Sequence, residues 1–87
     1  VRRFETTHKR SEVSVSLYSS HERDAECIGD FELFYENDKL TRIVFAPSWE
    51  KKNCLMLDNA KQLKWLAQLG IIIEELFSVT GLKGFGE

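Results

Sequence analysis

From Glu12 to Tyr18 apolar and polar side chains alternate without interruption, Val13, Val15 and Leu17 against Ser14, Ser16 and Tyr18. A period of two sends each set to its own face of a strand, so this segment predicts a half-buried strand. Ser19 to Glu26 is polar and predicts a connection. Alternation returns from Cys27 to Glu36, with Phe31, Leu33 and Tyr35 on one side and Glu32, Phe34 and Glu36 on the other. A third strand follows from Leu40 to Ala46, ended by Pro47, which lacks a backbone donor. The hairpin between the second and third strands has two registers. A two-residue Asn37-Asp38 loop sets Leu33 opposite Arg42, whereas a three-residue Asn37-Asp38-Lys39 loop sets Phe31 opposite Phe45, Leu33 opposite Ile43 and Tyr35 opposite Thr41. A slip of one residue reverses every side chain, so the register that keeps one face apolar is expected.

After the polar loop from Pro47 to Asn53 the period changes. Cys54 to Leu57 predicts a short fourth strand, and Asp58 or Asn59 is suited to cap a helix through a side-chain oxygen. Leu63, Leu66, Ile73, Leu76 and Phe77, with Trp65, Leu69 and Ile72 alongside, recur at helical spacing and predict one helix to about Val79. Gly70 sits inside this pattern at about 1 kcal/mol relative to Ala, and is expected to mark a close approach of backbones. Gly81 is a natural terminator. The expected fold class is therefore α+β, a four-stranded antiparallel sheet followed by one long C-terminal helix (ββββα). Residues 1–11 are expected to be a basic N-terminal arm, 12–80 a single domain and 81–87 a flexible tail.

Size and charge refine this picture. Eighty-seven residues fit one domain with a small core, so the broad helix stripe leads to the expectation of a homodimer or of a parent chain. The start at Val1 rather than Met fits processing or excision from something larger. Apolar runs such as Leu69 to Ile73 fall far short of the ~20 residues that cross a bilayer, and the expectation is a soluble intracellular protein without membrane partners. The net charge of −2 conceals blocks. Residues 1–10 hold four bases against Glu5, residues 22–38 seven acids against Arg23, and residues 39–64 six bases against Glu50 and Asp58. Such blocks make a dipolar surface if folding leaves them apart, and a mixed one if it interleaves them.

No catalytic constellation emerges. His8 lies in the basic N-terminal stretch and His21 in a turn, while Cys27 and Cys54 lack paired-ligand spacing and are expected to be free thiols. His21, Glu22 and Asp24 read as a polar turn because no second ligand cluster accompanies them. The glycines at 81, 84 and 86 follow the helix instead of joining a strand to one, so no phosphate-cradling loop is present. The expectation is a non-enzyme with no cofactor and no metal.

Binding of single-stranded nucleic acid requires cations that follow phosphates and aromatic faces on which bases stack. Lys39, Arg42, Lys51 and Lys52 supply the first, Phe34, Tyr18 and Trp49 the second, while Glu32 and Glu36 oppose a phosphate path. The run from Thr41-Arg42-Ile43-Val44-Phe45 through Trp49-Glu50-Lys51-Lys52 to Cys54-Leu55-Met56-Leu57, then Asp58 and Leu63 to Leu66, resembles the positive cofactor 4 and Whirly group of single-stranded DNA-binding proteins. The resemblance is in plan, and it implies a homodimer formed largely through the helix, acting in DNA binding and transcription regulation. It also implies DNA contacts at Arg42, Trp49, Lys51 and Lys52. The competing expectation is a protein-interaction or oligomerisation domain of a larger protein, with the helix stripe and the Phe34, Leu40, Val44 face as its interface.

Overall fold

The computed structural model describes residues 2–49, 53–71, 73–81 and 84–85. Five strands form one antiparallel meander in chain order: β1 (Arg3–His8), β2 (Glu12–Tyr18), β3 (Cys27–Glu36), β4 (Lys39–Pro47) and β5 (Leu55–Leu57). A 3₁₀ turn (Ala60–Leu63), α1 (Lys64–Gln68) and α2 (Ile73–Thr80) follow. This corrects the expected ββββα plan twice, in the extra strand and in the broken helix.

The extra strand comes from the stretch read as a basic arm. In β1, Phe4 pairs with Leu17, Thr6 with Val15 and His8 with Val13, extending the apolar face of β2 outward with side chains of falling hydrophobicity. Phe4 is the one strongly apolar residue among the six, so the alternation that marks the other strands is absent from the sequence here.

The helix breaks at Gly70, which adopts φ +79°. The Ile71 amide donates to the Leu66 carbonyl and the Gly70 amide to that of Ala67, the paired bonds of a Schellman cap. Its usual apolar contact is present too, since Leu66 and Ile71 are both buried. The Arg2 guanidinium donates to the Gly70 carbonyl, tying the N-terminal end to the break. Gly81, at φ +68°, closes α2 with its amide on the Phe77 carbonyl. At the other end Asn59 is the cap, its side chain accepting from the Gln62 amide at 3.3 Å while the Gln62 side chain accepts from the Asp58 amide at 2.6 Å. Beyond α2, Gly84 lies close against the Phe77 ring and Phe85 makes a parallel bridge to Leu40.

The β3–β4 hairpin corrects the expected three-residue loop but keeps the Leu33–Ile43 and Phe31–Phe45 pairs for which it was chosen. Asn37 and Asp38 take φ of 52° and 65°, a two-residue turn with the twist of the strands, and Glu36 pairs with Lys39. A bulge then inserts Thr41, whose hydroxyl donates to the Phe34 carbonyl, and Leu33 recovers Ile43 while Phe31 recovers Phe45. Tyr35 meets Leu40 instead of the expected Thr41, and Leu40 is buried. Leu40 therefore belongs to the core and not to the exposed face on which the sequence placed it.

All the helical segments cover one face of the sheet. Val13, Val15, Leu17, Phe31, Leu33, Leu40, Ile43, Phe45 and Leu57 from the strands and Leu66, Ile71 and Leu76 from the helices make a single buried cluster. At about 25 cal/mol per Å² of apolar surface, this is the main force that holds the fold. Phe31 and Phe45 stack at 4.6 Å at its centre, and Gly29 lies beneath the Phe45 ring, where a Cβ would come within 2.6 Å of it.

Candidate interaction surface

Among the described residues no helical segment covers the opposite face. The strand register assigns to it Arg3, Glu5 and Thr7 from β1, Glu12, Ser14, Ser16 and Tyr18 from β2, and Asp30, Glu32 and Phe34 from β3. From β4 and β5 it receives Arg42, Val44, Ala46 and Met56. These divide into two halves along the strand direction. The β1–β3 half is acidic and hydroxylated. Ser14 donates to both carboxylate oxygens of Glu32, at 2.8 and 3.0 Å, and Ser16 donates to Asp30 at 2.6 Å. These cross-strand bonds hold both carboxylates against the sheet. Among the described residues neither carboxylate has an ion-pair partner.

The second half is apolar. Val44 stands opposite both Glu32 and Met56, Ala46 lies opposite Asp30, and Phe34 flanks them on β3. Met56 is 53% exposed and Phe34 36%. A shallow depression of about 280 Å³ opens among Phe34, Thr41, Arg42 and Val44. Arg42 Nε lies 2.7 Å from Asp58 Oδ1, so the cation beside this depression is already neutralised.

The sequence-nominated residues fall into separate groups. Phe34, Arg42 and Lys39 gather at the β3–β4 hairpin, with Lys39 opposite Glu36. Tyr18 lies at the other end of the face opposite Cys27, about 23 Å from Phe34 at the rise of an extended strand. The Arg3 guanidinium covers the Tyr18 ring at 4.2 Å from its centre, occupying one stacking face. The Glu5 carboxylate, first among several causes, raises the Tyr18 hydroxyl pKa. Trp49 follows β4 and is 64% exposed, with an edge-on contact to Phe45 at 6.4 Å. Lys51 and Lys52 lie outside the described residues.

Sequence reasoning missed Met56, which it assigned to a short strand without a face. The signal was its place between Leu55 and Leu57, which both point into the core. It placed Ser14 and Ser16 on the polar face of their strand without partners, because their carboxylate partners become visible only with the β2–β3 register.

A second concavity, of about 130 Å³, lies where the β1–β2 and β3–β4 turns meet and includes His8, Arg10, Tyr35 and Asp38. There the Tyr35 hydroxyl oxygen is buried with no hydrogen-bond partner among the described residues, and burial pushes its pKa up to about 12. Among the described residues no group of three or more His, Cys, Asp or Glu is placed to hold a metal ion, and no helix is long and apolar enough to cross a membrane. Comparison of the chain with protein-family models, curated proteins and solved structures finds no match to any of them.

Proposed function

We propose that this chain is a non-catalytic protein-interaction module that binds its partner on the uncovered face of the sheet. The observation that carries this reading is the patch of Phe34, Val44, Ala46 and Met56, apolar side chains that the fold leaves on the face its helices do not cover. Contiguous exposed apolar surface rimmed by polar groups marks an interaction site, whereas single exposed apolar residues do not. Homodimerisation through the helix stripe has less support, since Leu66 and Leu76 of that stripe point into the chain's own core and only Trp65 and Leu69 of it are exposed among the described residues. Nucleic-acid binding has less support as well, because Arg42 is paired to Asp58 and this face carries more carboxylates than cations.

Two measurements test the reading together. A photo-crosslinking residue at position 56, introduced in the native cell, is expected to capture one protein identifiable by mass spectrometry. The same group at the exposed position Glu74 is expected to give no such adduct, and Phe34→Ser is expected to abolish the first. Fluorescence anisotropy with a labelled single-stranded oligonucleotide at low salt is expected to stay flat at micromolar protein. Binding that falls steeply with salt and weakens in Lys39→Ala would replace this reading with the nucleic-acid one.

A further inference from the structure

The two halves of the open face meet between β3 and β4, and this boundary restricts what can lie there. We infer that the occupant is a cationic amphipathic helix of a partner protein, aligned along the β3–β4 boundary, an inference that rests on the docking reading above. Adjacent strands are about 4.8 Å apart and a helix with its side chains is about 10–12 Å wide, so one helix covers roughly two strands. A helix over this boundary sets its apolar stripe on Phe34, Val44, Ala46 and Met56. One flank then faces Glu32 and Asp30, with Glu12 and Glu5 further out.

Charge complementarity fixes the sign of that flank. Glu32 and Asp30 are half-buried and exposed respectively, held in place by the Ser14 and Ser16 hydroxyls, and among the described residues unpaired with any cation. An acidic or neutral helix would desolvate them without return, whereas Lys or Arg on the facing flank forms charge-assisted bonds to carboxylates already in position. The apolar half does not compete for such a partner's charge, because Arg42 is matched by Asp58. A second copy of this chain is the poorer occupant. It would bring a flat sheet face with its own carboxylates, and like charges across an interface are repulsive. Its two short helices offer no cationic stripe among the described residues, α2 carrying Glu74 and Glu75 in its first turn.

Met56 is the only methionine in the chain and it lies on this face, so a methyl-labelled sample gives one resolved reporter signal. The experiment titrates that signal with three peptides that share leucines at helical spacing and differ only in carrying Lys, Gln or Glu elsewhere. The expected result is a Met56 shift with the Leu/Lys peptide at an affinity at least about tenfold above that of the Leu/Gln peptide, and none with Leu/Glu. The isosteric pair Asp30→Asn with Glu32→Gln, which keeps acceptors for both serines, is expected to erase that tenfold preference. Equal shifts with Leu/Lys and Leu/Gln would overturn the cationic helix yet leave the docking face standing. A Met56 signal unmoved by all three peptides would overturn the inference, and loss of the position-56 adduct as well would remove the docking reading beneath it.

Discussion

Val15 and Ser16 are neighbours in β2, yet one is buried beneath helices and the other faces outward against Asp30. The two faces of this sheet differ in the same way along most of its length. The covered face has a continuous apolar lining, two stacked phenylalanines, and Gly29 where a side chain would collide with the Phe45 ring. The open face has paired hydroxyls and carboxylates on one half and four apolar side chains on the other, with no helix above them among the described residues. The first face is finished within the chain. The second meets no requirement of folding that polar side chains alone would not meet, and its apolar half is the surface to which the proposed function assigns a partner.

The comparison can be broken first at the core. Phe45→Ala is expected to cost about 3–5 kcal/mol in chemical denaturation, through lost burial and a cavity beside Phe31. Such a loss is a large fraction of the stability of a domain of this size. Gly29→Ala should cost about 1–3 kcal/mol, because its Cβ would stand 2.6 Å from a Phe45 ring atom and 2.8 Å from the Ala46 carbonyl oxygen. A thermal melt of that variant that overlays wild type would remove the claim of tight packing at this point. On the open side, Arg42→Ala breaks an exposed ion pair and is expected to cost no more than about 1 kcal/mol, fading as salt is added.

The smallest effect is expected at Tyr35. Its buried hydroxyl has no hydrogen-bond partner among the described residues, so Tyr35→Phe at neutral pH should change stability by less than about 1 kcal/mol, towards greater stability. The pH dependence has a definite sign. Burial raises the hydroxyl from 10.0 to about 12, so folding favours its neutral form; the contribution is whole below pH 10 and disappears as pH rises through about 12. Urea midpoints measured across that window should fall more steeply for wild type than for Tyr35→Phe.

Much of the covered face was legible in the sequence. Strict alternation located β2, β3 and β4, and the demand for one apolar face chose Phe31 opposite Phe45 and Leu33 opposite Ile43. The turn that delivers this register was not legible. Asn37 and Asp38 form the two-residue loop that pattern alone excluded, and a bulge at Thr41 corrects it; a bulge leaves no mark in hydrophobic periodicity. The break at Gly70 was visible as a glycine, but periodicity continues across it. Leu66, Ile73 and Leu76 keep helical spacing on both sides of Gly70, so the stripe hides the break; in an unbroken helix Ile71 would lie about 140° from Leu66, and the Schellman cap is what lets both be buried. Strand β1 escaped because an edge strand needs only one apolar residue, Phe4, to anchor it. The open face was half legible, since Phe34 beside Arg42 follows from the register. Asp58 as the partner of Arg42, and Met56 as the neighbour of Val44, required β5 to be in place.

That the open face is free in the folded chain underlies the proposed docking. It is tested most directly by urea unfolding of wild type and Phe34→Ser, each at a low and a high protein concentration. Stabilities of the two proteins within about 2 kcal/mol of each other, and midpoints unchanged by concentration, are expected, because Phe34 lies outside the buried core cluster. A loss of several kcal/mol in Phe34→Ser, with a wild-type midpoint that climbs with concentration, would show the face already buried between copies of this chain and would contradict it.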